Sequence, residues 1–168
     1  MSKIFAIILA ALMALSGVAF AEETLIGMPN PWISVSAEEL TDTLGLAFSV
    51  PEGAENIAYR ILEAEQMAEM TFSLDGMDYT ARIKPAAEFE DISGMYFDWE
   101  TPNEDSTVAG IPAWEARAND GDTTLDLCMW FDAAPGLMYS LSTGADDLDG
   151  FDIIAIAEQV YLPMQGDA

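Results

Sequence analysis

Carboxylates and one thiol are the side chains in this sequence that could do chemistry. The chain of 168 residues has 30 Asp and Glu, one Cys and no His. The lack of His removes the imidazole that Ser and Cys triads and many zinc sites need. Paired carboxylates can hydrolyse a glycosidic bond, but the sequence does not show which of the 30 converge. We therefore predict a protein that is not an enzyme, with no catalytic residues and no cofactor, and keep a carboxylate-based hydrolase as an alternative.

The lone thiol, Cys128, lies in the stretch TTLDLCMWFDAAPGLMYSLST. Apolar residues alternate there with Asp126, Cys128 and Trp130, which predicts that Cys128 is partly buried on the less apolar face of a strand, near Ser140. A reactive thiol needs a His, a cation or a helix amino terminus beside it, and nearby carboxylates raise its pKa instead. We interpret Cys128 as structural, and a single Cys leaves no partner for a disulfide within the chain.

An aspartate cluster precedes the predicted closing helix and suggests a calcium loop. With Gly150 at the sixth position of such a loop, Ala145 and Ile156 stand at the first and twelfth positions, where carboxylates are required. We therefore predict no dedicated metal site and only weak, non-specific binding of divalent cations. Helix capping and a looser cation site both remain compatible with the cluster, which consists of Asp146, Asp147 and Asp149.

The charge of the chain excludes several partners. Only five Lys and Arg stand against 30 Asp and Glu, so the formal net charge is −25. A phosphate backbone is held by clustered cations, so we expect no nucleic acid as a partner. The same field repels anionic lipid headgroups. It either keeps the surface soluble or attracts Ca²⁺ or basic peptides, and both interpretations remain open.

The amino terminus predicts export. Lys3 precedes an apolar run, and the small residues Ala19 and Ala21 flank Phe20 just before two glutamates. This pattern is typical of a signal peptide over residues 1–21, followed by a single secreted domain over residues 22–168. The apolar run is short for a transmembrane segment, and no Cys follows it to carry a lipid, so we expect no membrane anchor.

Two helices can be placed from their ends. Ser36 and Glu39 form a capping box, and Gly45 can end a helix over residues 37–44. Apolar residues between Ile153 and Tyr161 recur at helical spacing and predict a second helix, which Asp147 or Asp149 can cap and Pro163 ends.

Two predicted hairpins carry most of the sheet. A turn at Asp75-Gly76 sets Phe72 opposite Tyr79, and Glu69 opposite Arg82 on the exposed side. A turn at residues 65–66 would place Tyr59 beside Phe72.

The second hairpin, with a turn at Asp120-Gly121, sets Trp114 opposite Leu127 and Ala113 opposite Cys128. Further strands are predicted over residues 46–50 and 95–99.

These elements predict an α+β domain. We expect a curved antiparallel meander of six or seven strands, with a short amino-terminal helix and a carboxy-terminal helix packed on one face.

The order of the elements resembles small exported domains of unknown function from anaerobic Gram-positive bacteria. The resemblance rests on the stretches GMPNPW, EFEDISGMY and GLMYSLS, together with the capped helix, the Trp-containing hairpin and the closing helix. It implies a non-catalytic extracellular role and assigns no site residues.

The function expected from the sequence is that of a secreted, acidic interaction module for an extracellular protein or peptide. A carbohydrate-binding module that uses exposed aromatic rings is the alternative. The candidate binding residues are Tyr96, Trp99 and Trp130. Burial of all four Trp residues would favour the interaction module. A Trp that lies flat on the surface would favour sugar binding.

The excess of negative charge leads to a first prediction. Salt screens self-repulsion, so the Tm of the purified protein should rise with NaCl and rise similarly with Mg²⁺ or Ca²⁺ at matched ionic strength. A bound ion would stabilise at concentrations too low to change the ionic strength. A Tm increase of several degrees that is specific to micromolar Ca²⁺ would contradict this expectation and make the aspartate cluster a metal site.

Overall fold

The computed structural model describes residues 30–103 and 105–164. The predicted signal peptide, residues 1–21, lies outside the described residues. No helix in the described ranges is long and apolar enough to cross a membrane.

The described chain folds into one antiparallel sheet with two helices. The strands are β1 (Ile33–Val35), β2 (Glu55–Leu62), β3 (Met67–Leu74), β4 (Met77–Pro85), β5 (Thr107–Val108), β6 (Ile111–Asp120), β7 (Thr123–Asp132) and β8 (Leu137–Ala145). The helices are α1 (Ala37–Leu44) and α2 (Ile153–Val160). The spatial order β1-β2-β3-β4-β8-β7-β6-β5 joins two four-stranded meanders where β4 pairs with β8. The architecture fits the predicted α+β class, but the sheet has eight strands rather than six or seven.

The β3–β4 hairpin confirms the turn predicted at Asp75-Gly76. Both residues have positive φ, as the two central positions of a type I′ turn require. Phe72 pairs with Tyr79, and the two rings stack with centroids 4.9 Å apart. Glu69 pairs with Arg82. The prediction that this pair is exposed is wrong, because Glu69 is completely buried.

The β2–β3 connection is longer than predicted. One turn of 3₁₀ helix (Glu63–Glu65) and the left-handed residue Gln66 replace the turn expected at residues 65–66. The strand register moves by two residues, so Tyr59 pairs with Met70 and lies diagonal to Phe72. A shift of two residues leaves each side chain on its predicted face.

The β6–β7 hairpin is shifted in the same way. Its central residues are Gly121 and Asp122, and Gly121 has a φ of +65°. A turn with positive φ at its first central position favours Gly there, whereas the predicted turn placed this Gly second. As a result Ala113 pairs with Trp130 and Trp114 pairs with Met129, instead of the partners that were predicted.

The strands predicted over residues 46–50 and 95–99 are irregular chain. In the first stretch, the Ser49 N–H donates to the carbonyl oxygen of Val160 at 3.0 Å, so the backbone joins the end of α2 instead of a strand. The second stretch belongs to the described residues 86–103 and 105–106, which we call the crossing segment. This segment starts at β4 in the middle of the sheet and ends at β5 on its edge.

Helix α1 begins and ends as predicted. The Ser36 hydroxyl accepts from the Glu39 N–H, the Glu39 carboxylate accepts from the Ser36 N–H, and Gly45 adopts the left-handed conformation. Helix α2 forms where the closing helix was predicted but is shorter, since it begins at Ile153 and ends at Val160. Its cap is Asp152, whose Oδ1 accepts from the Ile154 and Ala155 N–H groups. The prediction of Asp147 or Asp149 as the cap is wrong, because Asp147 instead accepts from the Asp149 N–H.

The main core lies on the face of the sheet that packs against α2, which we call the helix face. Trp130 stacks on Tyr139 there, with ring centroids 5.0 Å apart, and both are buried. Cys128 is fully buried in the same core and pairs with Leu141 rather than lying near Ser140. The prediction of a partly buried Cys128 on the less apolar face is therefore wrong.

The opposite face, which we call the segment face, is covered by the crossing segment. Ile92 and Trp99 of this segment pack there against β-strand residues that include Leu127 and Met129. Because both faces of β7 are covered, the apolar character of its alternate residues does not reveal which face carries the helix.

Asp126 is a buried carboxylate on the helix face. Its Oδ2 accepts from Arg117 Nε at 3.1 Å, and Arg117 Nη2 donates to the Phe151 carbonyl oxygen at 2.9 Å, just before α2. Its Oδ1 has no hydrogen-bond partner among the described residues. Burial raises the pKa of Asp126 to about 6, although the hydrogen bond and the charge of Arg117 act in the opposite direction.

This raised pKa predicts a loss of stability as the pH rises. Between about pH 4 and pH 6 the unfolded chain ionises Asp126 while the folded protein keeps it protonated, so the free energy of unfolding falls. The fall due to this group is on the order of 3 kcal/mol. Asp126→Asn should remove that part of the pH dependence in urea unfolding measured from pH 4 to pH 7. The exposed carboxylate variant Asp42→Asn is the control, and parallel curves for wild type and Asp126→Asn would contradict the assignment.

Candidate functional site

Glu69 fixes the part of the segment face beside the candidate site. Its side chain is completely buried, and its carboxylate binds two guanidinium groups. Oε1 accepts from Arg60 Nε at 2.8 Å and from Arg60 Nη2, and Oε2 accepts from Arg82 Nε at 2.9 Å. The Trp32 ring packs over both cations, with its centroid 5.4 Å from the Arg60 Cζ and 5.5 Å from the Arg82 Cζ. We call these four residues the Glu69 cluster.

The Glu69 cluster holds the crossing segment through Arg82. Arg82 Nη1 donates to the carbonyl oxygens of Ile92, at 3.1 Å, and Ser93. The Asp91 carboxylate accepts from the N–H and the hydroxyl of Ser93, and the Ser93 hydroxyl accepts from the Met95 N–H. These bonds hold residues 91–95 in place, and residues 96–99 follow directly after them in the chain.

Gly94 is required by this contact. Its φ is +67°, and a Cβ atom there would lie 2.6 Å from Arg82 Nη1. A larger residue would therefore be strained in its backbone and would also displace the guanidinium that anchors the segment.

The far end of the segment is held by β6. The Glu100 N–H donates to the Arg117 carbonyl oxygen and the Asn103 N–H donates to that of Glu115, each at 2.8 Å. Irregular chain that is bonded at both ends can present side chains at defined positions.

Three aromatic residues lie between these two anchors. Tyr96 is 90% exposed and Phe97 is 36% exposed. Trp99 is half-buried and packs edge-to-face against both Phe97 and Trp114, with ring centroids 5.9 Å apart in each pair.

These rings border an open depression of about 640 Å³, which we call the aromatic depression. Its lining includes Asp91, Tyr96, Phe97, Asp98, Trp99 and Asn119. The size is in the range of ligand sites. The side chains offer aromatic surface and carboxylate or amide oxygens, so the arrangement can bind apolar, hydrogen-bonding or cationic groups.

The structure brings together two of the three candidate site residues. Tyr96 and Trp99 both line the aromatic depression. Trp130 is fully buried on the helix face, so its ring does not contribute to the surface. Sequence reasoning missed Phe97, which the strand predicted over residues 95–99 would have placed on the same face as Trp99. It also missed Asp98 and Asn119, for which the sequence carries no signal.

Cys128 and the aspartate cluster lie outside the depression. Burial raises the pKa of the Cys128 thiol, and the charges of Glu115 and Asp126 act in the same direction. Within the described residues, no group of three or more His, Cys, Asp or Glu side chains has the geometry to hold a metal ion.

Comparisons of the chain with protein-family models, with curated proteins and with solved structures gave no match. The case for a function therefore rests on the geometry of the chain itself.

The support beneath the depression can be tested at Gly94. Gly94→Ala should cost about 1–2 kcal/mol for the left-handed backbone, plus a further loss because Arg82 must move. Hydrogen exchange at the Glu100 and Asn103 amides should become faster. Gly150→Ala is the matched control, since Gly150 has a φ of +73° but open space around it. Equal effects of the two variants on these amides would show that Arg82 does not anchor the segment.

Proposed function

We propose that this chain is a secreted, non-catalytic acidic binding module for an extracellular protein or peptide, and that the aromatic depression is its contact surface. The observation that carries this proposal is the 90% exposure of Tyr96, next to Phe97, on a segment that is bonded to the sheet on both sides. The non-catalytic extracellular role implied by the sequence resemblance agrees with it.

Exposed aromatic residues on a fixed support are suited to binding a protein. Tyr and Trp dominate binding energy at interfaces because they bury a large area with few rotatable bonds. The exposed Tyr96 ring adds no apolar burial to the core, whereas the Trp99 ring packs against Phe97 and Trp114. The depression therefore combines one solvent-exposed ring with rings that are held in place by their neighbours.

Sugar binding has less support from the geometry. A sugar ring stacks on a flat aromatic face with polar groups around it. Trp99 is half-buried and packs edge-to-face with two neighbours, and Trp130 is buried, so neither offers a fully exposed ring for a sugar.

A carboxylate-based hydrolase has less support still. Such an enzyme pairs an ionised carboxylate with one whose pKa is raised. Asp126 has a raised pKa, but it is buried on the helix face, away from the depression, and bonded to Arg117.

The proposal predicts which surface residues matter for capturing a partner. The double variant Tyr96→Ala/Phe97→Ala should lose most of the protein that wild type retains from the native extracellular medium, measured by cross-linking and quantitative mass spectrometry. The matched control is Ile33→Ala/Val50→Ala, which removes two exposed apolar side chains, 47% and 42% exposed, outside the depression. Equal retention by the two double variants would contradict the proposed contact surface.

A further inference from the structure

We infer that the aromatic depression binds the cationic side chain of a Lys or Arg in a basic peptide segment of its partner. This inference rests on the proposed function and specifies the chemistry that the site recognises. It follows from the rings, the carboxylates and the distribution of cations in the structure.

Rings and carboxylates line the same depression. Tyr96, Phe97 and Trp99 provide aromatic surface, and Asp91 and Asp98 bring two carboxylates beside it. A cation near an aromatic face is attracted by the negative face of the ring, and the attraction is stronger where water is excluded. A neighbouring carboxylate adds a charge-assisted hydrogen bond. Apolar or anionic ligands would use only part of this surface.

The protein already binds guanidinium groups in this way. In the Glu69 cluster, a Trp ring and a carboxylate hold Arg60 and Arg82. The aromatic depression has the same two kinds of group, with Asp98 in an exposed position. The cation that would complete this arrangement is absent from its lining, since none of the lining residues is Lys or Arg.

The cations of the described chain are used elsewhere. Arg60 and Arg82 both bind Glu69. Lys84 Nζ lies 3.2 Å from Glu90 Oε1, and Arg117 binds Asp126. The carboxylates of the depression therefore have no ion-pair partner among the described residues. The net charge of −25 also attracts a basic segment over longer distances.

The occupant to which we commit is a peptide segment rather than a free small cation. The depression is open, and its volume of about 640 Å³ is larger than that of one side chain. A third carboxylate, that of Glu100, lies at its border, where Glu100 Oε1 accepts from Asn119 Nδ2 at 3.3 Å. A segment with two or more basic residues can contact the rings and this rim together, which a single amine cannot do.

The test uses the full secreted chain and a ten-residue peptide of alternating Lys and Gly. Binding is measured by calorimetry and by the NMR shift of the Trp99 indole N–H, at physiological ionic strength. Tyr96→Ala and Asp98→Asn should each raise Kd by about fivefold or more. Asp42→Asn, which removes an exposed carboxylate on α1, should change Kd less than about twofold. A peptide with Gln in place of Lys, and free lysine amide, should bind much more weakly.

Several results would overturn the inference. Equal effects of Asp98→Asn and Asp42→Asn would indicate diffuse attraction by the whole surface. Full affinity in Tyr96→Ala would show that the rings do not contribute to binding. Equal binding of the Gln peptide would show that positive charge is not required, and equal binding of lysine amide would show that a peptide is not required. If the Tyr96→Ala/Phe97→Ala variant loses its captured partner but the Lys peptide does not bind wild type, the proposed function stands and this inference fails. If the peptide binds at the depression and no partner is captured there, the proposed function fails instead.

Discussion

The buried carboxylate of Glu69 is the constraint on which the segment face depends. A buried carboxylate has no water around it, so protein groups must balance its charge and donate to its oxygens. Removing one partner of a buried ion pair destabilises the fold strongly, because the other charge stays buried and unpaired. Arg60 and Arg82 satisfy it from the strands on either side of β3, so the register of three strands is tied to one side chain. Arg82 then has donors left over, and these hold the crossing segment.

The scarcity of cations connects the fold to its surface. Three carboxylates that the fold places beside cations, Glu69, Glu90 and Asp126, occupy the four Lys and Arg of the described residues. Ion pairing inside the described chain therefore leaves the outer surface acidic. The electrostatic field of such a surface attracts positively charged groups and repels negatively charged ones.

The sequence predicted elements whose signals are local. The capping box of α1 and the Asp75-Gly76 turn depend on a few adjacent residues, and both are confirmed. The two shifted hairpins depend on which residues enter the turn, and Gln66 with a φ of +51° shows that a residue with no strong turn preference can adopt the left-handed conformation. The burial of Glu69 could not be predicted, because the groups around it come from distant parts of the chain. The Trp32 ring covers Arg60 and Arg82, and the crossing segment is bonded to Arg82.

The same distinction explains why two of the three candidate site residues lie at the depression. Both faces of the sheet are covered at a central strand, so an aromatic residue there is buried whichever way it points. Trp130 is therefore part of the core, even though acidic residues lie near it in the sequence. An aromatic residue in irregular chain outside the sheet has only one side to bury, and the chain must leave some rings in water, as it does with Tyr96. Composition alone cannot separate these cases, since both stretches contain aromatic residues close to acidic ones. What separates them is whether the backbone pairs with strands on both sides, and this depends on the long-range order of the sheet.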